Sequence, residues 1–120
     1  MSWFSILKKR NRPAAQQKIA KKVRRVARPF INEAVENFLA DKNEVTMSEL
    51  RNIVKESTSN LRTHPDLQDL NPTQRGRYLT EEKGAFLSIA TYKTRELGFI
   101  LQPAKTRLGK KQESKYIRGE

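Results

Sequence analysis

The strongest constraint in this 120-residue sequence is the segregation of charge along the chain. Ten Lys and Arg residues precede the first acidic residue, Glu33. Residues 33–96 hold 9 basic and 11 acidic groups, and residues 97–120 hold 6 basic and 2 acidic groups. The formal net charge of +12 therefore lies on the two ends. A nearly neutral middle with cationic flanks is typical of a small folded body that binds a polyanion, because each cation beside a phosphate releases condensed counterions.

Length and composition narrow the class of protein further. A chain of this length forms one domain, and its apolar content of 36% predicts that the charged ends lie outside the core. The absence of cysteine excludes disulfides and thiolate metal sites, and it fits a reducing compartment. The longest apolar run covers only a few residues, so we expect no membrane span. An organellar presequence would share the acid-free start, but this segment is poor in serine.

The cationic first quarter of the chain is predicted to be an arm. Residues 1–7 place four large apolar side chains ahead of a Lys-Lys-Arg cluster, as in a short helical turn that packs on the body or in a weak membrane-interface anchor. Residues 13–28 begin with Pro13 and carry a narrow apolar stripe, with Lys and Arg on the other faces. Pro29 is expected to end or kink this helix. We therefore predict a basic helical arm over 1–28.

The middle of the chain carries two helical patterns with wide apolar faces. The first begins at Pro29. The second begins at a capping box, in which Thr46 would accept a hydrogen bond from the backbone while Glu49 reaches back. It is expected to end near His64, because the proline that follows disfavours helix at the residue before it.

A further helix is predicted to begin at Thr80. Residues 65–79 contain two prolines and a glycine, and they are expected to form a loop or a short helical turn. Thr80 can cap the helix that follows, and Glu81 and Glu82 complement the positive end of its dipole. Gly98 would close the helix in a left-handed C-terminal conformation.

Two short strands are expected after this helix. Residues 99–102 and 114–118 are strand candidates that flank a basic segment with a glycine-containing turn. They predict a basic C-terminal hairpin or tail over 102–120. The fold class is therefore mainly α, with a body of three to four helices over 29–101, a basic N-terminal helical arm and a C-terminal β-hairpin.

The order of these elements resembles the winged-helix branch of the helix-turn-helix proteins over residues 33–118. Residues 43–50 (NEVTMSEL) are similar to the short strand and second helix of that family, and residues 96–100 (ELGFI) are similar to its junction between recognition helix and wing. The resemblance implies that residues 80–97 enter the major groove. It implies contacts to bases from three residues and to the DNA backbone from two: Ser88, Thr91 and Arg95, and Lys110 and Lys111. A different small helical body with basic arms is the alternative.

Catalysis has little support in the sequence. The single histidine, His64, precedes a proline at a predicted helix end, which indicates a cap or a surface residue. The order of Asp66, Glu81 and Lys83 is similar to the metal-binding signature of restriction-type nucleases, in which two carboxylates hold magnesium on adjacent strands. Here Glu81 and Lys83 are expected to open a helix. We therefore predict no enzyme, no catalytic residue, no metal site and no cofactor.

Two classes of function are left. In the first, the protein is a DNA-binding regulator or architectural factor in the cytoplasm or nucleoid, with DNA favoured over RNA. In the second, it is a structural component of a nucleoprotein particle, such as a virion or a ribosome-associated assembly, with protein partners. The predicted nucleic-acid contacts are the cations of the two ends and, as the winged-helix resemblance implies, three residues of the last helix: Lys8, Lys9, Arg10, Arg12, Lys18, Lys21, Lys22, Arg24, Arg25, Arg28, Ser88, Thr91, Arg95, Lys105, Arg107, Lys110 and Lys111.

Overall fold

The computed structural model describes residues 13–103, 106–107, 110–111 and 113–119, with the backbone alone described for 106–107 and 110–111. Within these residues, the helices are α1 (Ala14–Leu39), α2 (Met47–Ser57), α3 (Pro72–Glu81) and α4 (Lys83–Glu96). The strands are β1 (Glu44–Thr46), β2 (Phe99–Gln102), β3 (Thr106–Arg107), β4 (Lys110–Lys111) and β5 (Lys115–Arg118). The predicted fold class, mainly α with a C-terminal hairpin, is confirmed.

Helix α1 is continuous across Pro29. Of the two predicted outcomes at this residue, an end or a kink of the helix, the end is therefore wrong. Pro29 has no N–H for the carbonyl of Arg25, and an internal proline costs about 3 kcal/mol. Buried apolar residues on both sides offset that cost: Ala20, Val23, Val26 and Ala27 before it, and Ile31, Val35 and Leu39 after it. Since burying a Val, Leu or Ile side chain is worth about 1.5–3 kcal/mol, tertiary packing outweighs the local preference.

Burial of the N-terminal half of α1 also corrects the predicted arm. Ala20 and Val23 are each 1% exposed, and Ala27 is fully buried in the same core cluster as the later helices. Residues 14–28 therefore belong to the folded body, and only their outer face is available to a partner. A stripe of small Ala and Val side chains is sufficient because it lets a neighbouring helix approach closely. Residues 1–12, the rest of the predicted arm, lie outside the described residues.

Helix α2 begins at the predicted capping box, which is confirmed. Thr46 Oγ1 accepts from the N–H of Glu49 at 3.2 Å, and Glu49 Oε1 accepts from the N–H of Thr46 at 3.0 Å. The helix ends at Ser57, earlier than the predicted end near His64. The hydroxyls of Ser57 and Thr58 donate to the same carbonyl of the last turn, at 3.2 and 2.7 Å. Such bonds compete with continuation of the helix.

Residues 65–79 were predicted to form a loop or a short helical turn, but the ten-residue helix α3 begins within them at Pro72 and extends to Glu81. The prediction missed this helix. Asn71 caps the helix, since its Oδ1 accepts from the N–H of Gln74 at 2.8 Å while Gln74 Oε1 accepts from the N–H of Asn71 at 3.1 Å. Pro72 occupies the first helical turn, where its missing N–H has no consequence. Gly76 lies inside the helix. From the sequence, a proline in the first turn of a helix is distinguished from a proline in a loop only by the capping residues beside it.

A single residue, Glu82, separates α3 from α4, and Thr80 belongs to α3 instead of capping α4. The Glu82 side chain is 9% exposed and forms an ion pair with Arg24 of α1, with 3.0 Å between Arg24 Nε and Glu82 Oε1. The carboxylate therefore faces α1, and α4 starts with a cation, Lys83. At its other end Gly98 adopts a φ of 94°, as predicted, in a region that favours glycine.

A three-stranded antiparallel sheet follows the helices, with the strand order β1–β5–β2. Val45 of β1 and Leu101 of β2 flank Tyr116 of β5 in register. Val45, Tyr116 and Phe99 are buried, so one side of the sheet covers the helical core. The predicted hairpin is thus present as β2 and β5, and it pairs with the strand between the first two helices.

Polar contacts connect the ends of β5 to the helices. Arg118 donates to the carbonyls of Leu39 at 2.6 Å and Lys42 at 3.0 Å, which satisfies carbonyls at the C-terminal end of α1. Glu113 accepts from both the N–H and the hydroxyl of Ser48 in the first turn of α2. The hairpin therefore belongs to the folded body.

Candidate nucleic-acid interface

The outer side of α1 is a strip of positive charge, which we call the basic face: Lys18, Lys21, Arg25 and Arg28. All four are exposed, and within the described part of the chain none has a hydrogen bond or an ion pair. Three of them, together with Arg24, line a shallow depression of about 260 Å³. Like charges one turn apart on a helix repel one another by roughly 0.2–0.5 kcal/mol per pair. A phosphate bound between them would remove that repulsion.

Two other predicted cations of α1 already have acidic partners. Lys22 Nζ lies 2.9 Å from both carboxylate oxygens of Asp69. This hydrogen bond lowers the pKa of Asp69 below its ordinary value. Arg24 pairs with Glu82 and also donates to the carbonyl of Ala20 at 3.3 Å. Lys22 and Arg24 therefore hold α1 to its neighbours as well as adding to its charge.

Two ion pairs show the direction of α4 relative to α1. Arg24 pairs with Glu82 at the start of α4, and Lys93 Nζ lies 2.8 Å from Glu36 Oε1 near its end. Arg24 and Glu36 are twelve residues apart on α1, and their partners Glu82 and Lys93 are eleven residues apart along α4. At 1.5 Å per residue, each helix advances by about 17 Å between the two ion pairs, in the same direction. The two helices therefore run parallel. The hydrogen bond with Glu36 raises the pKa of Lys93, as expected for a cation with an anionic partner.

A groove of about 670 Å³ lies between these helices, and we call it the α1–α4 groove. Six polar side chains, three from each helix and one turn apart, line it: Arg24, Arg28 and Asn32 from α1, and Ser88, Tyr92 and Glu96 from α4. The Tyr92 side chain is 69% exposed. We did not predict Tyr92 as a site residue, although at 100° per residue it lies only about 40° from Ser88 around the helix.

The three residues of α4 that were expected to face bases lie on or beside its outer face. Ser88 and Arg95 are exposed, and Thr91 is half-buried. The hydroxyl of Ser88 donates to the carbonyl of Gly84 at 3.1 Å, and that of Thr91 to the carbonyl of Ser88 at 3.0 Å. Arg95 donates to the hydroxyl of Tyr116 at 3.4 Å. The two hydroxyls thus keep only acceptor lone pairs, whereas Arg95 lies against β5.

A second cationic groove, of about 360 Å³, borders α4 on its side toward α2. Arg51 and Lys55 of α2 and Lys83 of α4 line it. All three are exposed, and among the described residues they have no ion-pair partner. We did not predict them from the sequence, although Arg51 and Lys55 are one turn apart on the polar side of α2. The exposed face of α4 therefore lies between two cationic borders.

The predicted basic hairpin is described in part. The pairing of β3 with β4 places Arg107 opposite Lys110 and Thr106 opposite Lys111. The backbone thus brings three of the predicted cations into one short ladder. The remaining predicted cations lie outside the described residues: Lys8, Lys9, Arg10, Arg12 and Lys105.

No group of three His, Asp or Glu side chains in the described residues is placed to bind a metal ion. His64 was predicted to be a cap or a surface residue, and it caps the 3₁₀ turn that follows it, because its Nδ1 accepts from the N–H of Asp66 at 3.1 Å. Asp66 lies in a 3₁₀ turn, while Glu81 and Lys83 lie on two successive helices, so the nuclease-like residues are not on adjacent strands. None of the helices in the described residues is both long and apolar enough to cross a bilayer.

Comparison with known proteins found no relative. No family model matches the chain, and neither a curated protein nor a solved structure does. The resemblance to winged-helix proteins therefore stays an interpretation of this chain's own motifs.

Proposed function

We propose that the protein binds nucleic acid, with duplex DNA favoured over RNA, as a small regulator or architectural factor. The observation that carries the proposal is the position of α4 between two cationic borders. The basic face of α1 continues into the α1–α4 groove on one side, and Arg51 and Lys55 of α2 line the groove on the other. A helix bordered in this way can approach a groove of the duplex while the flanking cations contact phosphates of the two strands.

The order of the elements supports a winged-helix arrangement of this surface. Helix α4 leads through Gly98 into β2, and β5 pairs with β1 as well as with β2. In such an arrangement α4 enters the major groove and the hairpin contacts the DNA backbone beside it. The two carboxylates before Lys83 pair with Arg77 and Arg24, so their charges are compensated at the end of α4 that would approach phosphate.

Phosphate contacts and base contacts would then come from different helices. The basic face of α1 supplies affinity that does not depend on sequence, because phosphates are the same at every position. On α4, the hydroxyl hydrogens of Ser88 and Thr91 are donated to the helix, which leaves acceptors for the bases. Acceptors in the major groove suit the amino groups of adenine and cytosine.

The proposal is tested by measuring affinity for duplex DNA and for RNA as a function of salt. If about five phosphates are contacted, the slope of log affinity against log salt is about −4.5 for DNA. Removing two contacts with Lys21→Ala and Arg25→Ala should change the slope to about −2.7. The matched control is Lys42→Ala with Arg62→Ala, which removes two exposed cations that line neither groove and should leave the slope unchanged. An affinity that does not respond to salt would contradict the proposal.

The edge of the sheet favours a second candidate function, a structural component of a nucleoprotein particle. Strand β2 is an edge strand of the sheet that the described residues form, and Ile100 and Leu101 on it are 64% and 39% exposed. An edge with exposed apolar side chains can pair with a neighbouring protein. Sedimentation velocity at several protein concentrations, with and without DNA, distinguishes the two candidates. Assembly through β2 would make the sedimentation coefficient rise with protein concentration, and Ile100→Lys would weaken that assembly. A sedimentation coefficient that is independent of concentration would favour the free DNA-binding protein.

A further inference from the structure

The α1–α4 groove combines an exposed aromatic ring with two polar side chains, Arg28 and Asn32, that have no partner among the described residues. The Tyr92 side chain is 69% exposed, although a tyrosine ring normally gains free energy by burial. Arg28 and Asn32 line the same groove, and within the described residues neither side chain forms a hydrogen bond. The ring and these donors together form a surface with unused capacity for stacking and for hydrogen bonds.

The parallel direction of the two helices gives the groove a polarity. Arg24 and Arg28 lie at the end where α4 starts, and Glu96 lies at the other end, about 12 Å from Ser88 along the axis of α4. Tyr92 is one turn from Ser88 and one turn from Glu96, so its ring occupies the middle. Arg24 is paired with Glu82, and Glu96 shares Lys93 with Glu36 at 3.3 Å between Lys93 Nζ and Glu96 Oε1. The guanidinium of Arg28 therefore attracts an anion to the arginine end, beside Tyr92.

We propose that the α1–α4 groove binds one unpaired nucleotide, with its base stacked on Tyr92 and its phosphate held by Arg28. This inference rests on the proposed function and specifies a second binding mode for the same protein. The groove volume of about 670 Å³ falls within the roughly 300–1,000 Å³ of typical ligand clefts. Asn32 and the remaining lone pairs of Ser88 can hydrogen-bond the edge of the base.

Charge and shape complementarity favour a nucleotide over other occupants. The planar guanidinium of Arg28 matches a phosphate with two parallel hydrogen bonds, and an apolar peptide would leave that cation desolvated and unpaired. An acidic peptide would supply an anion but no flat ring system for Tyr92. Every base has such a face, so stacking of this kind tolerates different sequences. The unpaired nucleotide can belong to a single strand or to a base extruded from a duplex.

The test compares the parent protein with Tyr92→Leu and Tyr92→Phe, the second variant being the control that keeps the ring. Affinity is measured by fluorescence anisotropy for an oligothymidine of about eight nucleotides, for an abasic oligomer of the same length, and for a fully paired duplex. We expect Tyr92→Leu to weaken binding of oligothymidine about 5- to 150-fold, the effect of losing one base–aromatic stack. Tyr92→Phe should bind like the parent, and neither variant should change the affinity for the abasic oligomer or the duplex.

A duplex with one mismatched pair distinguishes the two sources of the nucleotide. Tyr92-dependent binding of oligothymidine assigns the groove to single strands, and Tyr92-dependent binding of the mismatched duplex assigns it to an extruded base; either result supports the proposal. The proposal would be overturned if Tyr92→Leu lost the same affinity for oligothymidine as for the abasic oligomer. It would also be overturned if Tyr92→Leu lost no affinity for either oligothymidine or the mismatched duplex. Salt-dependent duplex binding, together with no effect of Tyr92→Leu on oligothymidine or on the mismatched duplex, would overturn the nucleotide site alone. Absence of all nucleic-acid binding would overturn the proposed function with it.

Discussion

The two halves of α1, residues 14–28 and 29–39, pack alike but differ in charge. Both halves contribute to one apolar stripe: Ala20, Val23, Val26 and Ala27 in the first, and Ile31, Val35 and Leu39 in the second. On the surface, the first half carries six cations and no acid, and the second carries two acids and no cation. The comparison shows that a change of charge along a chain distinguishes two surfaces of one continuous helix. It does not report on where the folded body begins.

The ion pairs between α1 and α4 reflect the same difference in charge between the two halves of α1. The first half of α1 supplies the cation of its pair, Arg24 with Glu82, whereas the second half supplies the acid, Glu36 with Lys93. A shift or reversal of α4 would bring like charges together. The opposite signs at the two ends therefore favour the observed parallel alignment over its reverse.

The largest expected effect tests whether both halves are core. Val23 and Val35 occupy equivalent buried positions in the two halves, with exposures of 1% and 0%. Replacing either by Asp leaves an unpaired charge in the core, and each variant should lose at least about 3 kcal/mol of unfolding free energy in urea titrations followed by circular dichroism. If Val23→Asp unfolded like the parent while Val35→Asp did not, residues 14–28 would be an arm.

A smaller effect is expected at the junction of the halves. Pro29→Ala restores an N–H donor for the carbonyl of Arg25 and should raise the unfolding free energy by about 1–3 kcal/mol. Thermal and urea unfolding measure the change, and Ala40→Pro near the end of α1 serves as a comparison for the cost of an added proline. A decrease on Pro29→Ala would mean that the packing of the two halves requires a bend at this residue.

The difference in charge between the halves should appear in DNA binding. Arg25→Ala removes one proposed phosphate contact and should reduce the salt slope by about 0.9. Glu33→Ala, the matched change on the acidic half, should leave the slope unaltered. Titrations of duplex DNA at several salt concentrations measure both. Changes of equal size and opposite sign for the two variants would show that binding follows net charge and not the basic face.

The smallest effects concern the pH dependence of two ion pairs. Because Lys22 lowers the pKa of Asp69, their stabilisation is present above the unfolded pKa of 3.8 and is lost as pH falls through the lower folded pKa. Because Glu36 raises the pKa of Lys93, that stabilisation is present below 10.5 and is lost as pH rises through the higher folded pKa.

Unfolding measured across pH separates the two pairs. Asp69→Asn should be less stable than the parent at neutral pH and approach it in acid. Glu36→Gln should be less stable at neutral pH and approach the parent in alkali. A difference from the parent that stays constant over the whole pH range would show that the pair in question contributes nothing through its charge.

Local signals were sufficient to predict several elements of this fold. The capping box of Thr46 and Glu49 and the left-handed turn at Gly98 depend on residues within a few positions of each other, so the sequence contains the whole interaction. The same kind of signal was present at Asn71 and Gln74, yet the helix it starts was missed because two prolines and a glycine nearby favoured a loop. The outward position of Ser88 and Arg95 followed from helical periodicity alone.

The amino-acid sequence by itself determined the mainly α fold, the basic face of α1 and the hairpin, because periodicity, capping and charge are properties of neighbouring residues. Only the tertiary structure decided that α1 continues through Pro29, since burial against residues far along the chain outweighs the local cost of a proline. Packing likewise placed Arg51 and Lys55 on one side of α4 and Arg28 on the other. A site built between helices depends on their directions and contacts, and these are set by the core as a whole.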